Sequence, residues 1–383
     1  MLTPSWNIFR TTILAVATCS AVWGIASFTY YWDPTRVAIK RFMAKDPYRY
    51  EEHSPQFLKF EPEKAITIRT APEAKIRREA LASAIWGTHY LPADYSLAPM
   101  VRAKMDGSRP TNCRKTAIGK RYGPSLLCKL DQYRGTTNLA EIYRQKFTIP
   151  PHYHSYIARF RPKVWNQWTV IYHHGYAGTY HDQYRNIARL IEHGYAVLAF
   201  NLPGLGRNQI PGPGLTAIRQ IMGAILLSLD YETAQAKPKG IAMIGFSAGG
   251  WATAMAAALD PTIRATYTVA APIYPRALAD PALEPPKIAR VPELLDSAGY
   301  LDLFILGTSG SGNVPRRQLQ IFNRFDRCCW RNRTALLYAG SVTKAASSLG
   351  GDFEVRIDES HARHKISRQA MDWILADLER IRQ

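Results

Sequence analysis

Gly245-Phe246-Ser247-Ala248-Gly249-Gly250 is the stretch on which the fold is decided. It follows the apolar run Ile241–Ile244 and opens a helix-patterned stretch of small residues, Trp251–Leu259. An apolar run, a glycine-flanked turn and a helix in direct succession put a serine on a sharp strand-to-helix bend. Side chains at 245 and 249 would collide with the strand and helix on either side of such a bend, and glycine removes both. Ser247 is then presented above a sheet, at a helix N-terminus whose partial positive charge faces the reacting centre. The amide of Ala248 falls where it can donate to an oxyanion. This makes Ser247 a candidate nucleophile.

Working outward, short apolar runs recur at Trp168–Tyr172, Tyr195–Phe200, Ile241–Ile244, Ala265–Ala270, Leu319–Phe322 and Phe353–Ile357. Helical spacing fills Asp182–His193, Leu215–Thr233, Gly249–Leu259 and Ser367–Arg382 between and after them. Asp182 and Ser367 are placed to cap helices and Gly194 to end one. Strands alternating with helices predict an α/β class with a mainly parallel, doubly wound sheet buried on both faces. Before residue 150 no period lasts long, except for helical spacing over Glu73–Trp86. There is no internal repeat.

With these motifs in place, residues 155–383 resemble the α/β-hydrolase superfamily, of the serine esterase and lipase type. His173-His174-Gly175-Tyr176-Ala177-Gly178 follows a strand as that family's His-Gly oxyanion loop does, so the amide of Tyr176 is expected to join that of Ala248 in an oxyanion hole. Asn201-Leu202-Pro203-Gly204-Leu205-Gly206 is similar to the family's Pro-Gly-x-Gly turn, with Asn201 where Asp is usual. The resemblance implies a triad in the chain order Ser, acid, His. Asp326, after the strand-like Arg317–Phe322, is the expected acid, and Asp302 is its rival. His361, after Phe353–Asp358, is the expected base, and His364 is the alternative. The Pro-rich stretch between the strand Ala265–Ala270 and the acid strand, about 272–317, is expected to form a lid. The expected activity is hydrolysis of a small-molecule or lipid-like carboxylic ester through an acyl-enzyme. A thioesterase or peptidase on the same machinery, or a non-catalytic envelope binding protein, are the alternatives. No cofactor is implied. Five scattered histidines (152, 154, 173, 174 and 181) have no matching carboxylates, so no metal site is expected.

The remaining sequence concerns location. Residues 11–32 carry no charged side chain, and 22 residues of helix span about 33 Å, enough for a hydrocarbon core. They read first as a single-pass membrane anchor, with a cleaved signal segment and a plain buried helix as alternatives. The side of the membrane is left open. The chain holds 49 Lys and Arg against 30 Asp and Glu, a net +19. Residues 101–130 hold eight of those cations and one acid, Asp106. That density suits an anionic bilayer surface. Nucleic acid is not expected, because no zinc finger, RNP sequence or helix-turn-helix accompanies the charge. Arg316, Arg317, Arg324, Arg327, Arg331 and Arg333 form a second basic cluster near Asp326, placed either to draw acidic substrates or to neutralise carboxylates. Cys113 and Cys128 lie close enough in sequence to form a disulfide or to remain free thiols. The chain thus divides into an anchor or signal (1–32), a basic extension (33–150) and a catalytic domain (151–383).

Overall fold

The protein is described from a computed structural model over residues 55–103, 131–150, 153–273, 291–310, 315–326 and 333–383, less a few single positions, with isolated residues elsewhere. In chain order the main elements are helix α1 (Ala71–Trp86), strands β1 (Ser96–Leu97), β2 (Val101–Arg102), β3 (Leu139–Ile149), β4 (Tyr153–Pro162) and β5 (Trp168–His173), and helix α2 (Tyr184–Glu192). Then come β6 (Ala196–Phe200), α3 (Leu215–Gln235), β7 (Gly240–Phe246), α4 (Ala248–Leu259) and β8 (Ile263–Val269). The last are α5 (Tyr300–Thr308), β9 (Arg317–Asn323), α6 (Leu336–Ser348), β10 (Asp352–Asp358) and α7 (Arg368–Arg382).

The strands form one sheet in the order β1-β3-β4-β6-β5-β7-β8-β9-β10, with β2 also on β3. From β6 to β10 every neighbouring pair is parallel, while β3, β4 and β6 pair antiparallel. The six apolar runs are strands β5 to β10. Along them side chains alternate between two cores. Ile171, Ile241, Met243 and Ile263 face the side covered by α1, α3, α4, α5 and α6. Val170, Ala242, Ile244, Ala265 and Tyr267 face the side covered by α2 and α7. This period of two explains why the central strands read as continuous apolar runs: both faces are buried.

The sheet begins ahead of the expected boundary at residue 150, since β3 lies wholly before it. Part of the extension also belongs to the same core. Ile66, Ile68, Leu81 and Ile85 are buried with residues of α3 to α6. Thr70 and Glu73 begin α1 with a reciprocal cap, and Gly87 ends it at φ 75°. The carboxylate of Asp302, on α5, accepts from the amides of Thr67 (2.8 Å) and Ile68 (3.2 Å) and from the Thr67 hydroxyl. Asp302 is therefore a clasp for this segment. The apolar run Leu301–Leu306, expected within a lid, is a buried helix beside α4. Most of 274–296, the basic run 104–130, Cys113 and Cys128 lie outside the described residues. So do residues 11–32 apart from Thr18 and Ser20, both helical. Among the described residues no helix is long and apolar enough to cross a membrane.

Of the second arginine cluster, Arg327 and Arg331 lie outside the described residues, and the other four are engaged within the fold. Arg316 is buried and donates to five carbonyls, of Ile263 (2.9 Å), Leu306 (2.9 Å), Ser309 (2.7 Å), Ala257 (2.7 Å) and Asp260 (3.0 Å). Four of these lie at the C-terminal ends of α4 and α5. Arg78, from α1, reaches the same ends at Ala258, Leu306 and Ser309. The two guanidiniums supply donors to carbonyls that have no partner within their helices and oppose the negative ends of both dipoles. Burial, and then the proximity of Arg78, pushes Arg316 down to about 9, still charged at neutral pH. Arg317 meets Asp352 (2.8 Å), Glu354 and Asp377 (3.1 Å). Arg324 (2.8 Å) and Arg333 (2.7 Å) share Glu359. These side chains satisfy partners inside the fold rather than facing a ligand.

Lysine has three donors and no fork, so Arg316→Lys cannot reproduce the five contacts. We expect it to lower unfolding free energy in urea by about 2–4 kcal/mol. The same change at exposed Arg185 should leave stability within about 0.5 kcal/mol of wild type.

Candidate active site

Ser247 closes β7 and precedes α4 with φ 55° and ψ −127°. A non-glycine residue at positive φ is strained by about 1–3 kcal/mol. Its surroundings impose that conformation. Its amide donates to Val269 O (2.9 Å), and its carbonyl accepts from Gly250 N (2.8 Å) and Trp251 N (3.2 Å). A Cβ on Gly245 would lie 2.2 Å from Gly249 O, and one on Gly249 would lie 2.2 Å from His173 O. Strand, turn and helix meet backbone to backbone here, so the two flanking positions are closed to any side chain. A Cβ on Gly175 would sit 2.7 Å from Ser247 Cβ. The loop carrying Tyr176 therefore passes directly against the serine. The amides of Ala248 and Gly249, first in α4, have no partner within the helix.

The loop of Tyr176 is held by polar contacts behind it. Asn201 Oδ1 accepts from Tyr180 N (2.8 Å), and the Asn201 carbonyl accepts from Asn208 Nδ2 (2.8 Å). Asn201 thus fastens the end of β6 to the turn after Tyr176, a task the amide performs without a charge. Asp182 does not cap α2. Its Oδ2 accepts from Thr179 N (2.7 Å), which shapes the same turn. His173 lies buried, stacked on Phe200 with ring centroids 5.9 Å apart, its Nδ1 3.0 Å from His174 O. Burial pushes it down to about 4, so it is neutral near pH 7.

Asp326 and His361 are not brought together. Asp326, fully buried, lies beyond β9 with Oδ2 2.6 Å from Nδ1 of His364. The His364 ring packs against Phe246, the residue before Ser247, at 4.6 Å between centroids. Asn323 Nδ2 holds Lys365 O (2.9 Å) and so fixes the histidine loop to the acid strand. His361 is instead buried against Asp358, with Nε2 3.3 Å from Asp358 Oδ2, and its Nδ1 accepts from Arg363 N (3.1 Å). With Nδ1 accepting, the neutral ring carries its proton on Nε2, facing the carboxylate. The ring's two neighbours, Asp358 and the Arg363 amide, belong to its own strand and loop. The signal that could have separated the two histidines is Asp358, a carboxylate at the end of β10 three residues before His361. Among the described residues no group of His, Cys, Asp and Glu could hold a metal ion.

The register aligns these parts. His173 pairs with Gly245, Phe246 with Val269, Val269 with Ile321, and Asn323 with Asp358. Ser247, Asp326 and the 359–365 loop therefore leave the same carboxyl edge of the sheet, where open α/β sheets bind ligands.

Residues 169–299 match the family model described as alpha/beta hydrolase fold, and the sheet order and strand directions are those of that fold. Among solved structures it is similar to an acetyl xylan esterase from Paenibacillus sp. R4, with TM-score 0.53 and 14% identity over 83% of this chain and 98% of that one. It is also similar to acetyl xylan esterase 1 from Thermoanaerobacterium sp. JW/SL YS485, with TM-score 0.49 and 15% identity over 84% and 97%. No curated protein matches the chain in sequence.

Asp358 offers a test of the structural assignment. Burial alone would raise its carboxyl, but hydrogen bonds from His361, Ser360 and Ser367 outweigh it and hold it well below the ordinary range. A carboxyl depressed in the folded state stabilises above its unfolded pKa of about 3.9 and loses that contribution as pH falls further. Asp358→Asn should therefore cost about 3 kcal/mol in urea unfolding at pH 7, and distinctly less at pH 3. A deficit equal at both pH values would show that the carboxylate charge is not what matters.

Proposed function

We propose that this chain hydrolyses carboxylic esters through an acyl-enzyme on Ser247, with His364 as base and Asp326 as the group that orients it. The observation that carries the reading is the Asp326–His364 pair, packed on the residue next to a serine on a strained turn. Asp326 holds the Nδ1 proton of His364, which leaves Nε2 to take the proton of Ser247 as its oxygen attacks the ester carbonyl. The amides of Ala248 and Tyr176 are the donors for the oxyanion. His364 then passes the proton to the departing alcohol. Water, deprotonated by the same nitrogen, releases the acid and restores the serine. The likeness in fold to an acetyl xylan esterase makes short acyl esters the first substrates to try.

Labelling with a fluorophosphonate probe tests this directly. Wild type should label and Ser247→Ala should not. His364→Ala and Asp326→Asn should lower kcat on p-nitrophenyl acetate by about 10⁴-fold while keeping the fold. His361→Gln should lower stability and still label. Labelling that survives His364→Ala but not His361→Gln in a folded protein would return the base to His361.

We also propose that residues 11–32 anchor the protein to a membrane as a single span. Support comes from their length and lack of charge. Deleting residues 1–32 should move the protein from the carbonate-resistant membrane fraction to the soluble one. A wild-type protein that carbonate extracts would exclude a span.

A further inference from the structure

A groove of about 670 Å³ opens between α2 and the start of α7. Four cations line it, Arg185, Arg189, Lys365 and Arg368, against one acid, Asp182. Its Oδ2 accepts from both the amide (2.7 Å) and the hydroxyl (3.2 Å) of Thr179. Arg189 is matched by Asp372. Arg185 and Arg368 are exposed, and neither has a carboxylate partner among the described residues; Arg185 Nε donates only to the Tyr184 hydroxyl (3.1 Å). The groove is therefore a concave surface on which cations outnumber acids and two exposed arginines have no carboxylate partner among the described residues.

Backbone electrostatics reinforce the imbalance. Arg185 and Arg368 stand in the first turns of α2 and α7, and neither first turn contains an acidic residue. Helix N-termini carry partial positive charge and ordinarily favour acids there. Two arginines placed against that preference, facing one groove with Lys365, raise its positive potential and favour an anion within it.

The position of the groove says which anion. Lys365 and Ile366, both in its lining, directly follow His364. Asn323 holds the Lys365 carbonyl (2.9 Å), so this wall is fixed to the strand that leads to Asp326. A group bound here lies against the loop that carries His364. A planar bilayer would meet the rim of such a groove but not fill it, whereas a small oxyanion attached to a substrate fits inside.

We propose that this groove is a subsite for a carboxylate, phosphate or sulfate carried by the ester substrate, so that the enzyme favours anionic esters over neutral ones. This rests on the hydrolase reading above and names its substrate class. The test compares 3- and 4-acetoxybenzoate with their neutral methyl esters. In Arg185→Gln/Arg368→Gln the ratio of kcat/KM for the anionic over the neutral ester should fall about tenfold from wild type. Taking the ratio within each protein cancels differences in leaving-group reactivity and in folded fraction. Inorganic phosphate should raise the Tm of wild type and not that of the variant. An unchanged ratio with intact fluorophosphonate labelling would overturn the subsite and leave the hydrolase standing. Loss of binding to phosphatidylglycerol vesicles with an unchanged ratio would likewise overturn it, in favour of membrane docking. A wild type that neither labels nor turns over would remove the hydrolase reading, and the phosphate response alone would then decide whether the groove binds anions.

Discussion

Ser247 sits at φ 55° because β7, the turn and α4 meet with no room for any other path. That single backbone crossing organises the molecule. It requires glycine on both sides, a neighbouring strand whose Val269 carbonyl receives the serine amide, and a helix that begins at once. The helix is buried along its whole length, which is possible only because it is built of Ala, Gly and a few larger apolar residues. Burial then creates a problem at the far end, where the last carbonyls of α4 have no water to bond. Arg316 and Arg78 solve it by donating to those carbonyls and to the matching end of α5. Arg78 comes from the N-terminal segment, so the strained serine turn and the extension are parts of one construction.

The charge of the chain takes on a different meaning in this light. A net +19 suggests an external anionic partner, and the arginines nearest Asp326 in sequence look like candidates to meet one. Instead Arg316 serves carbonyls, and Arg317, Arg324 and Arg333 serve carboxylates of the fold. Burial would lower Arg317, but its three carboxylates more than offset that and raise it. Among the described residues, exposed arginines without a carboxylate partner stand elsewhere, at the first turns of α2 and α7. Clustering in sequence says little about charge at a surface, because a guanidinium fork is also the side chain best suited to gather carbonyls inside a protein.

Much of the fold was legible because the central strands are buried on both faces and appear as short apolar runs. Strand β3 was not, for two reasons visible in Leu139–Ile149. It lies near the sheet edge with several polar positions partly exposed, and its register with β4 shifts between Leu139 and Glu141, which breaks strict alternation. The run Leu301–Leu306 was legible as apolar but not as helix. A helix buried all round shows no polar face, so the period that marks a helix disappears.

The sequence alone determined the nucleophile turn. Gly245, Ser247 and Gly249 act within five residues, and the steric reason for each is local to the backbone they share. It also placed the candidate base in the short loop after β10. It favoured His361 and did not show which of His361 and His364, three residues apart in that loop, meets Asp326. Only the tertiary structure did so, because the deciding partners come from different places. Asp358, at the end of the adjoining strand, takes His361 into the loop's own framework. Asp326, 38 residues before His364 and in the turn after another strand, reaches His364 across the sheet edge. A pairing between residues that distant depends on which strands lie side by side, and that is settled only when the whole sheet has formed.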